Sequence, residues 1–290
     1  MEKPVAMREE KHFLDTSVVR PMLVGTRQYK DYFADFFGDN LCYINKYVQM
    51  EFKRSYLSNA IAFYFILHLD TVPTIGDALR LWSNRFKGSE LKAILQLAGA
   101  LFDSHRFELE NPRDKQKALD ALGRYLKRLE IKLRGKFKDT GINATRCARA
   151  EVIFNVDLED MAEGFRKFVD AFNDVQRCRS RCRVDDFLLN RHGEQIHSYV
   201  ENAAPLPNNK ANRGFKSIAK NLDELLHSGA KACTCKMCEK VGDAIIALET
   251  PRDMRLEHTD NSFNHLCPPL GLNHKQHPSE SKVVQSSTGR

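Results

Sequence analysis

Four acidic residues of this chain stand at the edges of apolar stretches: Asp15 in HFLDTSVV, Glu51 in YVQMEFKRSYL, Asp243 in VGDAIIALE and Asp260 in LEHTDNSF. A lone ionised carboxylate is costly to bury unless it is paired, hydrogen-bonded or bound to metal, so Asp15, directly behind Phe13 and Leu14, needs partners. Singly, each of the others has a plain explanation. Asp243 precedes an apolar helical run and reads as an N-cap, Asp260 with Asn261 and Ser262 reads as a turn, and Glu51 reads as a surface position of a helix. Together they fit one place. In a parallel α/β sheet, acids that follow strands or open the neighbouring helices converge on the crevice at the carboxyl edge. Four carboxylates gathered there cannot all stay ionised without counter-charge, which implies divalent cations that take hard oxygen ligands, Mg²⁺ or Mn²⁺.

The elements that must position these acids give the chain an α/β beginning, a long helical middle and a compact α/β end. Leu119, Leu122, Leu126, Leu129 and Leu133 recur at helical spacing, as do Leu158, Met161, Phe165, Phe168 and Phe172. Both are amphipathic helices with a buried face, the second opened by Asp157 and Asp160, and LKAILQLAGALF from Leu91 reads as another. The Pro-, Asn- and Gly-rich NAAPLPNNKANRG from Asn202 is a loop, and the polar tail from about Asn273 is expected to be disordered.

With 290 residues, 42% hydrophobic and 29% charged, the chain can bury a sizeable core. Its most apolar run, AIAFYFILHL from Ala60, is about half the ~20 residues of a membrane span and is a core segment. The start, MEKPVAMREEK, is charged from its second residue and has no apolar stretch of a secretory signal, so a cytoplasmic protein is expected. Eight cysteines then point to free thiols or a metal site rather than disulfides. Cys178 and Cys182 form a C-x3-C pair, and Cys235 and Cys238 a C-x2-C pair with Cys233 beside it. Two such pairs could complete a structural Zn²⁺ site, and buried free thiols are the alternative.

The net charge of +7 is clustered. RYLKRLEIKLRGKFK, from Arg124, sets seven Lys or Arg against Glu130 alone, and RCRSRCR, from Arg177, packs four arginines into seven residues. Such clusters attract phosphate backbones, although a solvated helix face accounts for a single one about as well.

FLDTSVV, YVQMEFKRS, GDAIIALE and HTDNSF, in this order, resemble the four acidic motifs of PIN-domain nucleases. The resemblance covers roughly residues 11–57 and 239–272, with the mainly helical 58–238 as an insertion and 273–290 as the tail. It implies a PIN-like parallel sheet flanked by helices, and a site of Asp15, Glu51, Asp243 and Asp260 that holds metal and cleaves RNA, with Ser17 as a supporting hydroxyl. At such a site two cations about 4 Å apart activate a water and stabilise the attacking and leaving oxygens of an in-line phosphodiester displacement. Three readings follow: a metal-dependent endoribonuclease acting in processing, as a toxin or in defence; a nucleic-acid-binding module without cleavage; and a helical interaction scaffold. Retention of all four acids favours the enzyme. A second copy of the chain or an inhibitory protein partner is compatible with it.

Overall fold

The computed structural model describes residues 10–85, 98–99, 101–102, 106–140, 183–229 and 235–288. Contacts divide the chain into two units, the first of residues 1–50, 135–151 and 175–290, the second of residues 51–134 and 152–174. Along the described chain run β1 (His12–Leu14), α1 (Thr16–Val24), α2 (Arg27–Phe37), β2 (Cys42–Ile44), α3 (Lys46–His68), α4 (Ile75–Arg85), α5 (Pro112–Lys136) and β3 (Lys138–Asp139). They are followed by α6 (Val184–Ala203), α7 (Arg213–Ser228), α8 (Cys235–Leu248), β4 (Arg255–His258), α9 (Phe263–Leu266), β5 (His274–Gln276) and α10 (Glu280–Thr288).

The first unit is built on a five-stranded sheet in the order β3-β2-β1-β4-β5, every pair parallel. Parallel neighbours need crossovers rather than hairpins, and helices supply them. The strands are only two to four residues long, yet Phe13, Leu14, Ile44 and Leu256 are all buried, as a sheet covered on both faces requires. In α2, Tyr29, Phe33 and Phe37 recur every four residues and form one buried stripe. The α10 residue Glu280 accepts from the Thr26 N–H at 2.9 Å, just ahead of α2, and the Tyr29 hydroxyl donates to the Pro278 carbonyl at 2.7 Å. α6 and α7 pack through Ile196, Tyr199 and Ala203 against Ile218, Leu222 and Leu225, with Tyr199 edge-on to Phe215.

The second unit is helical in its described part. Phe63 of α3 stacks on Trp82 of α4 with ring centroids 4.4 Å apart. The Lys115 ammonium donates to the carbonyls of Leu69 and Val72 and fixes the turn between α3 and α4. Leu119, Leu122, Leu129 and Leu133 of α5 are buried, as their spacing predicts.

Two sequence expectations change, and a third, the apolar run as a core segment, holds for most of its described residues. The tail after Asn273 is ordered as the edge strand β5 and helix α10. The helical middle is not one insertion: α6, α7 and β3 belong to the unit that carries the sheet. Phe63, Tyr64, Ile66 and Leu67 of the apolar run from Ala60 are buried, while Phe65 and Leu69 face outward. The expected Phe-rich helix from Leu158, with Asp157 and Asp160, and the arginines from Arg177 to Arg181 lie outside the described residues, as does most of the expected helix from Leu91. No helix among the described residues is long and apolar enough to cross a membrane.

Candidate functional site

The strand order reverses direction at β1, from which the chain goes first to β2 on one side and later to β4 on the other. The crevice outside the carboxyl ends of two such strands is the usual ligand site of open parallel sheets. Asp15 is the residue after β1 and Asp260 the second residue after β4, so both stand at the carboxyl ends of these neighbouring strands.

Asp15 is buried at 4% exposure. It caps α1, its Oδ2 accepting from the Ser17 N–H at 2.9 Å, and its own N–H donates to the Glu257 carbonyl at 3.0 Å. On β2, which runs beside β1 in register, Asn45 occupies the equivalent level and accepts from the Val48 N–H at 2.9 Å. Both strands therefore end in a side chain that opens the next helix. Ser17 links the edge further: its hydroxyl oxygen accepts from the Thr259 N–H at 3.0 Å, which ties the first turn of α1 to the residue before Asp260.

The loop that carries Asp260 is held from every side. The Asp260 Oδ1 accepts from the Ser262 N–H at 2.9 Å, and its carbonyl takes the Nδ1 proton of His258 at 2.8 Å. With that proton fixed, His258 Nε2 accepts from His274 Nδ1 at 3.0 Å. Burial, with His274 close by, lowers the His258 pKa to about 4, so the pair stays neutral at pH 7. Gln276, the last residue of β5, donates to Asn261 Oδ1 at 2.7 Å and to the Thr259 carbonyl at 3.3 Å, and accepts from Asn264 at 2.8 Å. Asp260 itself is exposed, and its Oδ2 has no partner among the described residues.

Asp243 is half-buried in the third turn of α8. It is not an N-cap, because the helix starts at Cys235. The neighbouring Gly242 lets α8 cross the first turn of α3: a Cβ there would lie 2.6 Å from the Tyr47 hydroxyl. Since α3 opens just after β2 and α8 also packs on α9, which follows Asp260, Asp243 belongs to the same edge of the first unit. Glu51 is half-buried in the second turn of α3 and belongs to the second unit. Among the described residues, no group of three or more His, Cys, Asp or Glu is close enough to hold a metal ion. Asp15, Asp243 and Asp260 share an edge of the first unit without forming a ready-made cage.

Of the zinc candidates, Cys178, Cys182 and Cys233 lie outside the described residues, and the side chains of Cys235 and Cys238 do as well. Cys42 and Cys267 are free and buried, and burial pushes each thiol up to about 12.

Sequence reasoning missed the most buried acid of the sheet. Glu257 of β4 is 0% exposed and receives His12 Nδ1 at 2.7 Å, Arg255 Nε at 2.6 Å and His277 Nε2 at 2.8 Å. Burial alone would raise its carboxyl, but the donors His12, His277 and Arg255 outweigh burial and hold it at about 2. Phe33, Phe36 and Phe37 of α2 surround the two imidazoles. His12 and Glu257 lie 245 positions apart, so only the alternation in RLEH hinted at an inward glutamate. No family model, curated protein or solved structure matches the chain.

Proposed function

We propose that this protein is a metal-dependent endoribonuclease with a PIN-like catalytic unit, working in the cytoplasm. The observation that carries the reading is the placement of Asp15 and Asp260 on the two sides of the strand-order reversal, joined through Ser17. Carboxylate oxygens at such a crevice suit Mg²⁺ or Mn²⁺, which would activate a water and neutralise charge on a phosphodiester. Asp15, Asp243 and Asp260 would hold the ion, and Glu51 comes to the ligand set from the resemblance to the PIN nucleases. The chain's own contribution is positional. The α1 cap fixes Asp15, and the hydrogen bonds of Ser17, His258 and Gln276 hold the loop that presents the exposed Asp260 carboxylate. Preorganised ligands need little rearrangement when the ion arrives.

The spacing of the acids favours a second reading, a nucleic-acid-binding module that does not cleave, since no three of the described acids are gathered. Incubation with mixed RNA and single-stranded DNA in Mg²⁺, Mn²⁺ or EDTA separates the two. The nuclease reading expects cleavage that EDTA abolishes and that Asp15→Asn and Asp260→Asn remove with the fold intact. Binding without cleavage under all three conditions would establish the module instead.

A further inference from the structure

The longest described helix, α5, carries the densest positive charge of the described chain. Its inner face is spent on the leucine stripe, and its acid Glu130 is already committed, accepting from the buried Lys53 at 2.6 Å and from Arg134 at 2.7 Å. Between Arg124 and Lys132, what remains outward is Arg124, Lys127, Arg128, Ile131 and Lys132. At about 100° per residue these five positions span an arc of roughly 140°, with Arg124 and Ile131 near its middle and Lys127 and Lys132 on its flanks. Arg124, Arg128 and Lys132 take part in no ion pair among the described residues. Ile131 is 62% exposed, the most exposed of the large hydrophobic residues described.

A solvated helix face normally intersperses both signs of charge, and this stretch does not. Arg124, Arg128 and Lys132 repel one another unless an anion lies between them. We propose that this face of α5 binds the phosphate backbone of a double-stranded nucleic acid. The choice of a duplex over a single strand rests on what the face lacks. Proteins that grip single strands combine positive charge with aromatic rings on which the bases stack. The one aromatic ring that α5 itself carries, Tyr125, is half-buried, and burial raises its phenol to about 12. Duplex recognition without base reading needs what is present: a rigid rod with cations on both flanks to reach phosphates across a groove. The inference stands on α5 alone and does not require the carboxylates to hold metal.

The test is the full chain with Arg124, Lys127, Arg128 and Lys132 all changed to Ala, against wild type. Alanine is the best helix former and these side chains are exposed, so α5 is kept, which an unchanged melting temperature verifies. Probes are an RNA duplex of about 20 base pairs, the same sequence as DNA duplex, and one RNA strand alone. Duplex affinity is expected to fall about tenfold or more at 0.1 M salt, and the slope of log K against log salt to flatten by about 3, with the single strand changed less than about twofold. Loss on the RNA duplex alone, or on both duplexes, upholds the proposal and tells which backbone is bound. Equal loss on the single strand, an unchanged slope, or no duplex binding by wild type overturns it. So does an effect seen only on anionic lipid vesicles.

Discussion

Two acids of the first unit lie three residues apart on the same strand and its loop, and they are treated in opposite ways. Glu257 is enclosed and saturated: both oxygens receive donors, from His12, Arg255 and His277, and aromatic rings close over the imidazoles. Asp260 is exposed, with one oxygen used in its own turn and the other unpartnered among the described residues, while the loop beneath it is pinned by side chains from two neighbouring elements. A carboxylate with both oxygens engaged by buried donors stabilises the fold and has little left to offer a ligand. A carboxylate held rigidly with spare capacity is the opposite, and that contrast supports the proposed metal site at the carboxyl edge.

The contrast is broken most forcefully at Glu257. Glu257→Gln removes the buried charge that Arg255 and two imidazoles donate to, leaving Arg255 only its partly exposed pairing with Glu10, and is expected to destabilise the fold by about 3–5 kcal/mol, read from urea unfolding. The wild type should also lose stability in acid in a defined window. The folded carboxyl lies at about 2 against an ordinary 4.5. Its contribution is therefore complete above about pH 4.5 and is lost as pH falls toward 2, to the extent of about 3 kcal/mol. Glu257→Gln should lack that component. If it unfolds with the wild-type acid profile, the saturated network is not what holds β4 to β1 and β5.

Next in size is the crossing of α8 over α3. Gly242→Ala puts a methyl against the Tyr47 hydroxyl and is expected to cost about 1–3 kcal/mol. Adding Tyr47→Phe removes the obstructing oxygen and should recover part of the loss. No recovery would place the strain elsewhere along α8.

These sites show what the chain discloses and what it hides. The leucine stripe of α5 and the buried strand before Asp15 were legible because each is a run of like residues with one period. β5 was not: His274, Lys275 and Gln276 are polar, since an edge strand of three residues has little apolar surface to bury, and the stretch reads like a tail. β3, of two exposed residues, leaves even less of a signal. Asp243 was legible as part of a helix, but its place in the third turn was hidden because the preceding Cys- and Lys-rich turns carry no apolar period. Of the candidate site, Asp15 and Asp260 were found by the strand-then-acid pattern. Gln276 was missed because nothing in its neighbourhood says that its amide reaches back 15 and 17 residues to Asn261 and Thr259.

The smallest effect sharpens the comparison at that residue. Gln276→Ala removes exposed hydrogen bonds and should change global stability by less than about 1 kcal/mol. Amide exchange in residues 259–264 should nevertheless quicken, because the loop loses the side chain that bridges its two ends. Unchanged exchange would mean that Ser17 and His258 suffice to hold Asp260.

The central claim, that the carboxyl edge holds a divalent cation, is tested most directly by titrating Mn²⁺ into the wild type, Asp15→Asn and Asp260→Asn and counting bound ion by electron paramagnetic resonance. Neither substitution should unfold the protein, since Asn caps α1 about as well as Asp and residue 260 is exposed. Saturable binding by the wild type, weakened about tenfold or more in both variants, is the expected result, because each loses one charged ligand. No saturable binding by the wild type, or equal affinity in all three proteins, would contradict the claim.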